Sequence, residues 1–554
     1  MTLTSTRARA NVTDGLPTVV EGYDLAAERE RYAAIPDVVV RRRRINRGNA
    51  VVSVRAAAME TPAHAAVRQA HADAIFPNTL AADSPVIEIG WPLSGPFVRC
   101  SAGVYLDLYL GVAQKLLDPA HPRIREAIRR LADLDLLTQR EINTDDFLVA
   151  AEGVEGIHTP QDLAALAAKA ASGAFPGSGP WKAFLSNSGT EAVEAAVKIA
   201  WQVRHKRFLE AHGFATLERV AKDLGIPRIQ EMDADRSLPD PLLADYPFFM
   251  VGCWRAFHGR TLGALHFTTS KKAQRAGYPQ VRWIRRVRYN GSPDELAGMI
   301  DPRPIGEILA APGGVRAVVE AGRIPRDLFA GFLAEPMQGE GGYVPADPAW
   351  FQGMARVVRE HGGLFLADEV QSSGRSGTLF LSQQLGVEPD AIAAAKGLIV
   401  GLTLARAEFT KYLHPGWHSN TFGGGKLFDN QWSFAVLDAL LHHRDPALGG
   451  LPYMDNCRVK GAYLAMGLER LRERHPALVE GFDRRGLMVG LSVRRRPDVI
   501  RVGWRRGLKL LGCGPSGDVA RLRLVFLADT LAREVDEALR VLDRVLAEVG
   551  KSKA

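Results

Sequence analysis

A lysine that ends an apolar run, Lys396 in PDAIAAAKG (389–397), can lose its proton in a partly dry pocket and attack an aldehyde to form a Schiff base. Asp368 closes the run GGLFLA and opens DEVQ. A carboxylate at the C-terminal end of a buried strand sits where α/β proteins place ligands. Burial there is costly without a cationic partner, and a protonated ring nitrogen would serve as one. Gln371 follows three positions on and can hydrogen-bond a phenolic oxygen of the same ring. In SNSGTEA (186–192), Ser188, Gly189 and Thr190 lie between a strand-like run and a helix start. Free N–H groups at a helix N-terminus bind phosphate, and glycine lets the backbone come close. Thr421 in NTFGGG (420–425) adds a hydroxyl on a glycine-rich loop. In AFHGRT (256–261), Phe257 can stack on a flat ring beside His258, and Arg260 can grip a carboxylate in bidentate fashion.

Each of these residues has an ordinary reading when taken alone. A lysine after alanines is usually at the surface, Asp368 could cap a turn, and Ser188-x-x-Glu191 is also a capping box. Six segments in fixed order, AEPMQGEGG (334–342) among them, change that weighing. An aldehyde, a ring nitrogen, a phenolic oxygen and a phosphate together describe pyridoxal 5′-phosphate. A different match, Gly512-Cys513-Gly514-Pro515-Ser516-Gly517, fits GxGxxG, but the strand-like ARLRLVFL follows it instead of the helix that a dinucleotide site requires.

The composition suits a globular enzyme. The chain has 554 residues and a net charge of +8, much of it in the runs Arg41–Arg44 and Arg494–Arg496, which read as solvated faces and not as a nucleic-acid site. Cys100, Cys253, Cys457 and Cys513 form no pair at metal-ligand spacing, so reduced thiols and no metal are expected. No run reaches the roughly 18 apolar residues that span a bilayer, and no secretory signal opens the chain. The expected location is cytoplasmic.

The elements that must position these residues alternate between strand-like and helical runs from about 160 to 430, which implies a mostly parallel sheet covered by helices. Residues 1–95 read as an N-terminal extension that packs on the body, with helix over about 60–75. Residues 96–150 contain the strand GVYLDLYLG and an amphipathic helix over 122–137, with Ile124, Ile128, Leu131, Leu134 and Leu137 on one face. The stretch 151–430 forms a large domain, with 212–246 inserted before the strand FFMVGCW. Residues 431–554 form a smaller C-terminal α/β domain that ends in a helix whose Val535, Leu539, Leu542 and Val545 share a face.

From about residue 97 onward these motifs resemble the class III pyridoxal-phosphate-dependent aminotransferases, the group of ornithine, 4-aminobutyrate and lysine 6-aminotransferases. The resemblance implies a type I fold: a large domain with a seven-stranded, mostly parallel sheet, and a small domain built from both chain ends. It implies a homodimer with shared active sites and a ping-pong reaction between an amino-acid donor and 2-oxoglutarate. It makes Lys396 the Schiff-base residue, Asp368 the ring-nitrogen partner, Gln371 the phenolic-oxygen contact and Phe257 the stacking ring. Gly189 and Thr190 become the phosphate site, and Thr421 a phosphate ligand given by the other subunit. Within the group the likeness is to enzymes of distal amines. Arg260 then holds the far carboxylate of an ω-amino substrate, and Glu335 covers a second arginine, Arg521, with Arg523 as the alternative. Departures fall around substrate access: SSGRSG after DEVQ is one residue short, IVGLTLARAEF replaces a glycine-rich loop after Lys396, and LLDPAHP replaces GHxHP. A racemase or aminomutase of the same fold would need the same lysine and aspartate. A non-catalytic protein of this fold would need neither.

Overall fold

The structure, a computed structural model, describes residues 11–34, 62–74, 87, 95–100, 103–137, 149, 152, 154–229, 243–414, 416–420 and 426–552. Seven strands form the central sheet: β1 (Trp181–Ser186), β2 (Phe249–Cys253), β3 (Ile284–Val287), β4 (Phe329–Ala334), β5 (Leu364–Asp368), β6 (Ala391–Ala394) and β7 (Gly401–Arg406). Their spatial order is β1-β7-β6-β5-β4-β2-β3. All neighbours run parallel except β7, which is antiparallel to both β6 and β1. β4, β5 and β6 are buried at every residue, which is why they read as unbroken apolar runs with no alternation. The helix Gly189–His212 covers the sheet with Ala192, Val193, Ala196, Ala200 and Val203, and Thr403 of β7 donates to the Ala192 carbonyl at 2.9 Å.

Both ends of the chain build the smaller α/β part. Strands Val479–Arg485, Met488–Arg494, Val519–Val525 and Leu511–Cys513 lie side by side in that order, all antiparallel. Leu508–Lys509 pairs in parallel with Gly103–Asp107, which in turn pairs with Phe97–Cys100. The helices Tyr453–Arg474 and Ala532–Lys551 pack there, with Leu464, Leu468, Val535, Leu539 and Leu542 in one core.

The extension differs from the sequence reading. The expected helix forms as Pro62–Ala74, yet Val67 on it is 52% exposed. Among the described residues of the extension, 11–34 bury Val12, Val20 and Leu25 in the core of the smaller part. Glu28 on helix Leu25–Ala34 bonds Lys460 Nζ at 2.5 Å and accepts the Ala532 N–H at 2.6 Å, so it caps the last long helix from outside. The helix expected over 122–137 ends at Asp133, because Asp135 takes φ +56 and the Leu136 N–H returns to the Leu131 carbonyl; Leu137 is thereby left exposed. Inside the expected insertion lies the helix Phe214–Asp223. Among the described residues, no helix is long and apolar enough to cross a membrane.

Candidate active site

The parallel strands end along one edge, and the candidate residues come from those ends. β5 delivers Asp368, β6 delivers Lys396, the turn after β1 delivers Ser188–Thr190, and the loops after β2 and β4 carry 254–261 and 335–343. Glycines let these loops touch. A Cβ added to Gly189 would lie 2.8 Å from Val370 Cγ1 and 3.3 Å from Ala395 Cβ, which ties the helix start to both the Asp368 and Lys396 loops. A Cβ on Gly259, at φ +128, would overlap Thr190 Oγ1, and one on Gly339 would overlap the Gln371 amide.

Lys396 sits at φ +51 and Ile399 at φ +69. Left-handed backbone at non-glycine residues costs energy and persists where the surroundings enforce it, often at functional sites. Lys396 is half-buried in the wall of a cavity. That burial, and then the Arg523 charge, lower its pKa from 10.5 to about 8, against the opposing pull of Glu340 and Asp368. Near neutrality a useful fraction of the amine is therefore unprotonated and nucleophilic.

Asp368 Oδ2 lies 2.7 Å from His258 Nδ1, with both side chains buried, and Oδ1 accepts the Val370 N–H at 3.0 Å. His258 therefore orients Asp368. Phe257 is half-buried, and the exposed Arg260 places its guanidinium carbon 6.0 Å from the centre of that ring. Ser188 caps the helix Gly189–His212, and its Oγ accepts from the Glu191 N–H at 3.4 Å. Thr190 Oγ1 pairs with Thr261 Oγ1 at 2.9 Å. Gln371 is buried, and its Oε1 accepts from the Tyr343 hydroxyl at 3.2 Å. Its neighbour Glu369 is structural, taking N–H bonds from Leu381 (3.0 Å) and Ser382 (2.7 Å). Thr421 lies outside the described residues.

These residues fit pyridoxal phosphate. The site offers an amine of lowered pKa, a buried carboxylate at a strand end, an amide, and a helix start where glycine leaves the room a phosphate needs.

The structure redraws the expected glutamate–arginine pair. Glu335 does not meet Arg521. Its two oxygens accept the N–H groups of Phe257 (3.0 Å) and Gly339 (2.8 Å), so it ties the β2 loop to the β4 loop. Burial pushes its carboxyl up to about 7, with His258 opposing and Asp368 adding to the rise. Arg521 is partly exposed, pairs with Asp483 at 2.5 Å, and points Nη1 at the carbonyls of Gly342 and Tyr343. The pair beside Lys396 is Glu340 with Arg523, Oε1 to Nη2 at 2.7 Å, and the Arg523 side chain is 1% exposed. Burial alone would raise the Glu340 pKa, but Arg523 and then Lys396 outweigh it and hold the carboxyl below its ordinary value. Arg523 Nε and Nη1 are buried without a partner. A buried guanidinium with open donors is prepared for a second carboxylate. The sequence already carried a signal for Glu340, since AEPMQGEGG holds two glutamates. Arg521 and Arg523 share one face of Val519–Val525 and differ in depth, which spacing cannot reveal.

Comparisons with known proteins identify the family. Residues 100–546 match the family described as aminotransferase class-III. An acetylornithine aminotransferase of Gloeobacter violaceus is 31% identical over 480 residues, which covers 85% of this chain and 96% of the relative. One from Corynebacterium efficiens is 29% identical over 476 residues, 84% of this chain and 94% of the relative. Among solved structures, a lysine aminotransferase from M. tuberculosis in the internal aldimine form aligns with a TM-score of 0.64 at 24% identity, over 87% of this chain and 99% of that one. An ornithine aminotransferase from Toxoplasma gondii aligns with a TM-score of 0.61 at 18% identity, over 88% and 95% of the two chains. At these identities the two structures speak to the fold.

Proposed function

The chain belongs to the class III aminotransferases, pyridoxal-phosphate enzymes, and from that premise we propose that it moves the distal amino group of an ω-amino or diamino acid to 2-oxoglutarate in two half-reactions. Donors of the lysine, ornithine, N-acetylornithine or 4-aminobutyrate type fit this reading. The observation that carries it is the buried Glu340–Arg523 pair beside Lys396.

Bound pyridoxal phosphate supplies an electron-accepting ring that makes the proton on the amine-bearing carbon removable. Lys396 takes that proton and returns it on the far side of the transfer, as a neutral amine can. Asp368, held by His258, keeps a negative charge at the ring-nitrogen end. A donor that reacts through its distal amine has its α-carboxylate far from Lys396. Arg523 must then stay masked, which Glu340 does, while Arg260 at the mouth is free to take the far carboxylate. 2-Oxoglutarate carries a carboxylate next to its reacting carbon. Glu340 yields Arg523 to it, and the freed Nη2 forms a bidentate grip with one of the open donors, Nη1 or Nε. The partner subunit of a homodimer is expected to complete the phosphate site through Thr421.

The test is the visible spectrum of the purified holoprotein with each donor in turn. Loss of the cofactor band with a distal-amine donor, and its return with 2-oxoglutarate, is the expected result. Lys396→Ala should keep the fold and lose both changes. Racemase or aminomutase chemistry would instead turn over without a keto acid, and that outcome would replace the present reading.

A further inference from the structure

Tyr343 has no part in the half-reactions described above, yet it is fully buried, held at φ +53, and directed at a cofactor contact. Its hydroxyl donates to Gln371 Oε1 at 3.2 Å. A side-chain amide has an acceptor end and a donor end, and which faces a ligand depends on what holds the other. We infer that Tyr343 is a positioning residue that anchors the Gln371 amide, its hydroxyl donating to the amide oxygen while the N–H group is presented to the ring oxygen. The inference rests on the cofactor reading above and assigns a role to a residue outside it.

Three observations support the assignment. The amide of Gln371 is closed in on one side by Gly339, where an added Cβ would overlap Nε2 and lie 2.6 Å from Cδ, so the group is clamped flat. The Tyr343 backbone is pinned although its φ is unfavourable. Its N–H bonds the Gly339 carbonyl at 3.3 Å, its carbonyl accepts from Arg521 at 3.3 Å, and Gly490 leaves room only because a Cβ there would stand 2.9 Å from the Tyr343 Cβ. Its ring lies under the Arg523 guanidinium, 5.5 Å from the centre. The two arginines thus divide their work: Arg521 fixes the Tyr343 backbone, and Arg523 covers its ring while presenting open donors to substrate. Burial pushes the Tyr343 hydroxyl up to about 12 against Arg523 and Arg375, with Cys513 and Glu340 acting the other way, so the group stays a proton donor through the working pH range.

If the amide turned round, its oxygen would meet an anionic ring oxygen. Electrostatics there are strong because the site is dry. Removing the hydroxyl alone frees the amide to turn while the ring, and its contact with Arg523, remain.

Tyr343→Phe, Gln371→Ala and the double variant are compared as holoproteins. The readouts are the dissociation constant of pyridoxal phosphate and the balance of visible absorption bands between pH 6 and 9. Tyr343→Phe should weaken cofactor binding about five- to tenfold, the worth of one buried hydrogen bond, and shift the band balance. In the Gln371→Ala background the same change should do nothing further. An unaltered spectrum and affinity in Tyr343→Phe, or effects of the two single changes that simply add, would overturn the assignment. A wild-type protein that takes up pyridoxal phosphate without a lysine-dependent band would overturn the cofactor reading and this assignment with it.

Discussion

Replacing Glu340 by glutamine separates the two jobs proposed for Arg523. The variant keeps the shape and one acceptor oxygen but removes the charge that masks the guanidinium. Arg523 is 1% exposed and bonded to Glu340 at 2.7 Å, so no solvent can take over that role. A hydrogen bond between charged groups is worth about 1.5–3 kcal/mol. At 1.4 kcal/mol per decade, that is about a 10- to 100-fold change in any equilibrium it opposes. The gain goes to ligands whose carboxylate lies beside the reacting carbon, glutamate and 2-oxoglutarate. Distal-amine donors lose, because an unmasked Arg523 draws their α-carboxylate to the wrong end of the site. The ratio of kcat/KM for glutamate over that for the best distal-amine donor should therefore rise about 10- to 100-fold. Single-turnover loss of the cofactor band with each donor measures both constants without the second substrate. Glu340→Asp keeps the charge and should restore much of the wild-type ratio. An unchanged ratio in Glu340→Gln, or an equal loss with both donors, would refute the masking argument.

Lys396 should take up pyridoxal phosphate faster as pH rises, levelling off above about 8, where burial and Arg523 place its titration; a flat profile from pH 6 to 10 would contradict this. In the apo-protein the unfolded chain still holds that proton between about 8 and the ordinary 10.5, so folding stability should increase through that window and be lower below it, as denaturant midpoints can show. Gly189→Ala places a methyl 2.8 Å from Val370 Cγ1, an overpacking worth about 1–3 kcal/mol. It should weaken cofactor binding, measured by equilibrium dialysis, far more than it lowers the thermal midpoint. Glu28→Gln removes the charge that pairs with the buried Lys460 ammonium, leaving it Asn456 Oδ1 and a neutral amide, and should cost about 3 kcal/mol in urea unfolding while leaving the spectrum of the holoprotein unchanged.

The central sheet was legible because its strands are buried on both faces and end in residues with chemistry to do. GFLA before EP and GGLFLA before DEVQ each join an apolar run to a polar break, and these are the ends of β4 and β5. Asp368, Lys396 and the helix start at Gly189 follow from local pattern. The Glu335–Arg521 pairing did not survive, for a reason local pattern cannot supply. Glu335 lies next to the strand end and is consumed by two N–H groups of its own scaffold, whereas Glu340 lies past the turn and faces the smaller sheet. Which glutamate meets which arginine depends on how the strand Val519–Val525 docks, a contact between residues about 180 positions apart. The packing of 11–34 was hidden in the same way, since Glu28 has its partners at Lys460 and Ala532.

A strained turn lies beside two of the segments that depart from the family's usual motifs. Leu110, Gly111, Val112 and Ala113 form one left-handed turn, with φ between 49° and 64°. For non-glycine residues that conformation costs roughly 1–2 kcal/mol each. The turn is held at its start by Asp107, whose Oδ1 accepts the Leu110 N–H at 2.9 Å. At its end the buried Arg375 donates Nη2 to the carbonyls of Ala113 (2.8 Å) and Lys115 (3.2 Å). Arg375 comes from SSGRSG, and the residues the turn delivers, Gln114 to Leu117, line a cavity of about 440 Å³ together with Lys396, Ser188 and Gly189. The shortened SSGRSG loop holds the turn that leads into the altered LLDPAHP segment, and it packs on that segment's first residue, since a Cβ added to Gly374 would lie 3.0 Å from Leu116 Cδ2. A change in one without the other would leave either a buried guanidinium with nothing to hold or a strained turn with nothing holding it. Both segments therefore bear on the wall of the cavity that holds Lys396.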